Sequence, residues 1–78
     1  MTFSKHYNWY HFHRIMTEYF YFDIRWGIIN TLTFSNHITF VTMKKSNNMS
    51  DIYVEEILKK INLTMQDFEE GHKVLFDL

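Results

Sequence analysis

Ten of the fifteen aromatic residues of this 78-residue chain lie between positions 3 and 26, and the chain contains no cysteine. Together these facts limit how it can fold. A chain of this length buries only about 60 to 65% of the surface it exposes when unfolded, which leaves one small core. Without cysteine, neither a disulfide nor a thiolate zinc site can staple that core. Aromatic rings must supply most of the burial, or the chain must dimerise. Residues 1–78 have room for a single domain.

The spacing of apolar residues then divides the chain into elements. Residues 18–26 alternate, with Phe20, Phe22, Ile24 and Trp26 on one side and Tyr19, Tyr21, Asp23 and Arg25 on the other, which predicts a half-buried strand. Gly27 permits a bend. Residues 28–34 and 38–43 are rich in β-branched and aromatic side chains, and Ser35, Asn36 and His37 separate them. They read as a hairpin with Asn36 at positive φ. A main helix over about 50–61 follows from Ser50 as N-cap and from Val54, Ile57, Leu58 and Ile61 on one face. Glu55 with Lys59 and Glu56 with Lys60 support it as i,i+4 pairs. Asn62 can end it. Thr64 with Asp67 predicts a short second helix over about 65–70 that stops at Gly71. His72, Val74, Phe76 and Leu78 alternate with polar and apolar neighbours as a last strand would.

Residues 1–17 fit two templates. Read with period two, Tyr10, Phe12 and Met16 share a face; read as a helix starting after Asn8, Trp9, Phe12, Met16, Tyr19 and Phe20 line up instead. Aromatic richness favours the strand. The expected fold class is α+β: an antiparallel sheet of four or five strands carrying one main helix and a short second one.

Several functions are disfavoured by what is present and by its spacing. His11 and His13 could reach one metal ion only from a strand, because side chains two apart on a helix project to nearly opposite sides. His11-x-His13 followed by Glu18 resembles the His-x-His-x4-Glu core of the cupin metal motif over eight residues. The glycines that flank that motif are missing, and a cupin barrel needs a longer chain. No metal and no cofactor is therefore expected. Catalysis lacks a cysteine nucleophile, a glycine-rich phosphate loop and a serine in a Gly-x-Ser-x-Gly elbow. Glu18 and Asp23 would lie on opposite faces of their strand, which argues against a cooperating carboxylate pair. A non-enzymatic protein is expected.

Charge separates along the chain. Residues 1–45 carry five basic groups, Lys5, Arg14, Arg25, Lys44 and Lys45, against Glu18 and Asp23, a net +3. Residues 46–78 carry Lys59, Lys60 and Lys73 against Asp51, Glu55, Glu56, Asp67, Glu69, Glu70 and Asp77, a net −4. A strand face with Tyr7, Trp9, Tyr19 and Tyr21 and basic neighbours has the ingredients of a stacking platform for single-stranded nucleic acid. The overall charge of −1 speaks against that reading. Outward Tyr, Trp and Arg are also the side chains enriched at protein interfaces.

The expected function is accordingly that of a protein-binding module. Its contact residues are Tyr7, Trp9, Tyr19, Tyr21 and Arg25 on an aromatic strand face, with Glu55, Glu56, Glu69 and Glu70 on an acidic helical patch. Alanine and proline are absent and glycine occurs twice. These are residues with GC-rich codons, so the chain reads as the product of an AT-rich genome, as in low-GC bacteria, their phages and other viruses. A small phage or mobile-element inhibitor fits this profile, of the anti-defence, host-takeover or immunity type. Its partner would be a nucleic-acid-processing enzyme or a defence complex, whose basic groove the acidic patch would occupy. Binding of single-stranded nucleic acid is the alternative, and pairing through an exposed strand edge would give a homodimer. Residues 1–14 form no signal peptide, and residues 27–43, though free of charge, hold too many Asn, Ser and Thr to span a bilayer. A cytoplasmic location without a membrane partner is expected.

Overall fold

The computed structural model describes residues 6–76. Phe3 and Lys5, counted above among the aromatic and basic groups, and Asp77 and Leu78, at the end of the expected last strand, lie outside the described residues. The fold is α+β, as expected. Strands β1 (His6–Tyr7) and β5 (Met49–Ser50) form a two-stranded antiparallel ladder. Strands β2 (Asp23–Trp26), β3 (Thr31–Ser35) and β4 (Phe40–Lys44) form a second antiparallel sheet in the order β2-β3-β4. The helices are α1 (Trp9–Arg14), α2 (Asp51–Lys59) and α3 (Met65–Phe76), and α1 runs on into a π-helical turn over Ile15–Tyr19.

The strand favoured for the first residues is a helix beyond Tyr7. The Asn8 side chain accepts the N–H of His11 at 2.8 Å and so caps α1. Phe12, Ile15 and Met16, at i, i+3 and i+4, are fully buried on its inner face. The long strand expected over 18–26 is also shorter. Phe20 N–H donates to Ile15 O at 3.1 Å, the five-residue spacing of a π turn, and Phe22 N–H to Met16 O at 2.8 Å closes the exit from it, so only Asp23–Trp26 is extended. Tyr21 takes φ 63° where the chain leaves this turn. Alternation misled here because Phe20 and Phe22 bracket a helix end rather than share a strand face.

The expected β3–β4 hairpin is present, but its strands are shorter: the first begins at Thr31 rather than at residue 28 and the second at Phe40 rather than at residue 38. Phe34 faces Val41 and Thr33 faces Thr42, whose hydroxyls bond at 2.9 Å on the outer face. Asn36 does not take positive φ. Its Oδ1 instead accepts the N–H groups of Ile38 at 2.9 Å and Thr39 at 2.7 Å, an Asx turn that makes the same reversal. Left-handed residues occur at the other hairpin, between β2 and β3, where Ile29 has φ 53° and Asn30 φ 55°.

Helix ends follow their local chemistry. Ser50 Oγ accepts Tyr53 N–H at the start of α2. At its end Asn62 has φ 59°, Leu63 N–H reaches Leu58 O at 3.0 Å and Asn62 N–H reaches Lys59 O at 3.3 Å, which is a Schellman motif. Thr64 and Asp67 cap α3 reciprocally, each side chain accepting the other's N–H at 3.1 Å. Helix α3 does not stop at Gly71 but continues to Phe76, which replaces the expected last strand. Gly71 is there for proximity: an added Cβ would lie 2.7 Å from Tyr19 Cδ2 and 3.1 Å from Ile15 Cγ2. Only glycine lets α3 come this close to the π turn.

One core joins these parts. Leu32, Phe34, Val41 and Met43 cover the inner face of the three-stranded sheet and meet Phe12, Met16, Val54, Leu58 and Phe68 from the helices. Phe12 lies between Phe34, at 5.7 Å between ring centroids, and Phe68, at 5.6 Å. Each such side chain contributes roughly 1.5–3 kcal/mol by leaving water. Only Tyr7, Phe12, Phe22, Phe34 and Phe68 among the buried core residues are aromatic, so aliphatic side chains and methionines carry most of the burial and the expected aromatic core is only partly formed.

Candidate binding groove

A groove of about 720 Å³ runs between the start of the described chain and α3. From β1 and α1 it takes His6, Tyr7 and His11; from α3 it takes Gln66, Glu69, Glu70, His72 and Lys73. Pairing of His6 with Ser50 and of Tyr7 with Met49 fixes the first wall. The second follows from helical spacing, since Gln66, Glu69, Glu70 and Lys73 fall at i, i+3, i+4 and i+7 on one face of α3.

Tyr7 forms the floor. Only 7% exposed, its ring meets Phe68 edge-on at 5.2 Å and His72 at 6.0 Å. Burial holds its phenol above the ordinary tyrosine range, and the charges of Glu69 and then Asp51 push it further the same way. Glu69 thus stands close enough to be felt at the floor, while Lys73 and three histidines line the same groove. One end is closed by rings: His11 lies 4.3 Å from Phe76 and 6.0 Å from His72, and the Arg14 guanidinium stands 5.0 Å over Phe76. Arg14 is held there by two bonds to Glu18, at 2.9 and 3.0 Å.

Of the residues singled out by sequence, Tyr7, Glu69 and Glu70 meet in this groove. The others do not. Trp9 lies half-buried beside Trp26, Tyr19 packs on Gly71, and Tyr21 stands 81% exposed at the end of the π turn. Arg25 is on the outer sheet face opposite Thr33, and Glu55 and Glu56 are exposed along α2. The aromatic strand face is thus not assembled: Tyr7, Trp9, Tyr19 and Tyr21 belong to a strand, a helix, a π turn and a loop. His11 and His13 also separate, His11 toward Phe76 and His13 toward Tyr10 and Phe34. Among the described residues no group of three or more His, Asp and Glu side chains could hold a metal ion. Gln66 and Lys73 were not expected, and the i, i+3, i+4, i+7 spacing would have revealed them had α3 been read through Gly71.

A second cluster lies at the β2–β3 hairpin. Trp9 and Trp26 approach to 6.3 Å, and Lys45 Nζ sits between them, 4.5 Å from the Trp9 ring centroid and 4.0 Å from that of Trp26. A cation so placed is attracted by both ring faces. Trp26 is nonetheless 55% exposed, and Ile28 and Ile29 beyond it are 82% and 79% exposed.

Fold and surface define a small α+β domain with a groove that carries Glu69 and Glu70 beside Lys73 and three histidines, and with two hairpins that expose apolar side chains, Trp26, Ile28 and Ile29 on one and Ile38 and Phe40 on the other. No family model, curated protein or solved structure matches the chain. No helix among the described residues is long and apolar enough to cross a membrane.

Proposed function

We propose that the protein is a non-enzymatic binding module whose groove receives a basic segment of a partner protein. The observation that carries this reading is the convergence of Glu69, Glu70 and the buried Tyr7 in one concave site of about 720 Å³. A Lys or Arg side chain entering it would find two carboxylates at the rim, the Gln66 amide and an aromatic floor for its aliphatic stem. Glu55 and Glu56 on α2 extend the negative surface and would steer a basic partner toward it. A nucleic-acid-processing enzyme of a host or of a defence complex presents such a surface. Blocking it would make the protein a small cytoplasmic inhibitor of the phage or mobile-element kind.

A tagged pull-down from nuclease-treated lysate of the source cells tests the reading. A stoichiometric partner protein is expected with the wild type, lost at raised salt and lost with Glu69→Lys, Glu70→Lys, both exposed positions where the fold tolerates the change. Equal capture by the two forms would remove the groove from consideration. Capture that disappears on nuclease treatment would favour the single-stranded nucleic-acid alternative.

A further inference from the structure

The hairpin between β2 and β3 is shaped to expose what most hairpins hide. Ile28 and Ile29 are the two most exposed large aliphatic side chains among the described residues. Ile29 is β-branched yet takes φ 53°, and Asn30 follows at φ 55°. β-branched residues rarely adopt this region, and when they do without being packed, the strain calls for another explanation. The loop is closed firmly, by Gly27 N–H to Thr31 O at 2.7 Å and Lys45 N–H to Asn30 O at 2.8 Å. The tip is therefore a fixed convex knob with two aliphatic side chains at its apex.

The residues behind the apex carry a second message. Trp26 and Trp9 stand one layer back with the Lys45 ammonium between them, and Arg25 and Lys44 leave the sheet at the same end, Lys44 opposite Thr31. Neither the hairpin, residues 24–32, nor the neighbouring segments, residues 9–14 and 44–48, contain an acidic side chain. The groove between β1 and α3 is lined by none of residues 26–30, so the tip is separate from it. Aliphatic apex, indole layer and cationic collar follow the order of a bilayer leaflet: acyl boundary, headgroup interface, anionic surface.

We propose that this tip docks the protein on anionic membrane surfaces. Ile28 and Ile29 enter the acyl boundary, the indoles of Trp26 and Trp9 with the Lys45 ammonium between them lie at headgroup level, and Arg25 and Lys44 meet the lipid phosphates and carboxylates. Insertion of two side chains requires no membrane-spanning segment. The groove uses other elements, α3 and β1, and does not enter into the docking.

The two tryptophans of the chain are Trp26, at the base of the tip, and Trp9, packed against it from α1, so intrinsic fluorescence reports on this region. With vesicles of phosphatidylcholine and phosphatidylserine the emission should move to the blue and the protein should sediment with the vesicles; with phosphatidylcholine alone neither should occur. Ile28→Ser, Ile29→Asn removes the apex while relieving the left-handed strain, and should lower partitioning by about tenfold or more, as loss of buried aliphatic area predicts. Ile38→Ser, at the comparably exposed tip of the β3–β4 hairpin, should keep binding intact, which assigns the insertion to the β2–β3 tip. Absence of a shift with the anionic vesicles overturns the proposal. So does binding that Ile28→Ser, Ile29→Asn leaves unchanged, which would mean attraction of charge without insertion.

Discussion

The ring of Tyr19 lies directly on the backbone of Gly71, so close that a Cβ at position 71 would stand 2.7 Å from Tyr19 Cδ2. This contact joins α3 to the π turn. In an exposed helix Gly→Ala stabilises by up to about 1 kcal/mol. Here Gly71→Ala should instead destabilise by roughly 1–3 kcal/mol, the usual penalty of overpacking. In a Tyr19→Ala background the same change should become neutral or favourable, and urea unfolding of the four forms measures the coupling.

The Ile29 backbone should respond to a residue that accepts its geometry. At φ 53° an isoleucine is strained by roughly 1–2 kcal/mol, whereas Asn tolerates the left-handed region. Ile29→Asn is expected to raise the unfolding midpoint by the equivalent of about 1 kcal/mol. A lower midpoint would mean that Ile29 makes stabilising contacts its exposure does not reveal.

His13 makes the fold sensitive to mild acid. Burial holds its imidazole below the ordinary histidine range, with Glu18 pulling weakly the other way, and Nδ1 is buried without a hydrogen-bond partner. The unfolded chain therefore takes up a proton at higher pH than the folded one, and stability falls as pH drops from the ordinary imidazole range through the lower folded value. Above that range the effect is absent. His13→Phe should flatten this part of the stability profile. Glu18, lowered by its bonds to Arg14, acts only further down, in the carboxylate range.

Lys45 should matter through its charge more than its length. Between two indoles an ammonium contributes about 0.5–2 kcal/mol. Lys45→Met keeps the stem and should lose that amount, with a change in tryptophan emission, while Lys45→Arg should retain most of it. Equal stability of Lys45→Met and the wild type would show that the ammonium adds nothing between the rings.

Elements built by local chemistry were legible before the structure. Ser50, the Thr64–Asp67 capping box and Asn62 mark their helix ends by side-chain bonds or φ preference within a few residues, and each stands where the spacing put it. Elements decided by distant partners were not. Gly71 reads as a helix stop until Tyr19 is seen against it, and Phe20 and Phe22 read as strand until the π turn is formed. The candidate groove shows the same division: Tyr7, Glu69 and Glu70 were selected on residue type, but their meeting depends on β1 docking beside α3. The hairpin tip escaped altogether, because Ile28 and Ile29 in a β-branched run predict burial within a strand.

The β1–β5 ladder has a consequence for how the molecule is assembled. Two residue pairs, His6 with Ser50 and Tyr7 with Met49, close a ring around everything from α1 to β4. The two hairpins and the α2–α3 pair are contiguous in sequence and can form before it, whereas the ladder must bring distant segments together against the entropy of the loop between them. The ring thus shuts over preformed parts and is their weakest seam. Amide exchange should be fastest there among the core elements, and since Tyr7 belongs to it, the groove would lose its floor whenever the seam parts.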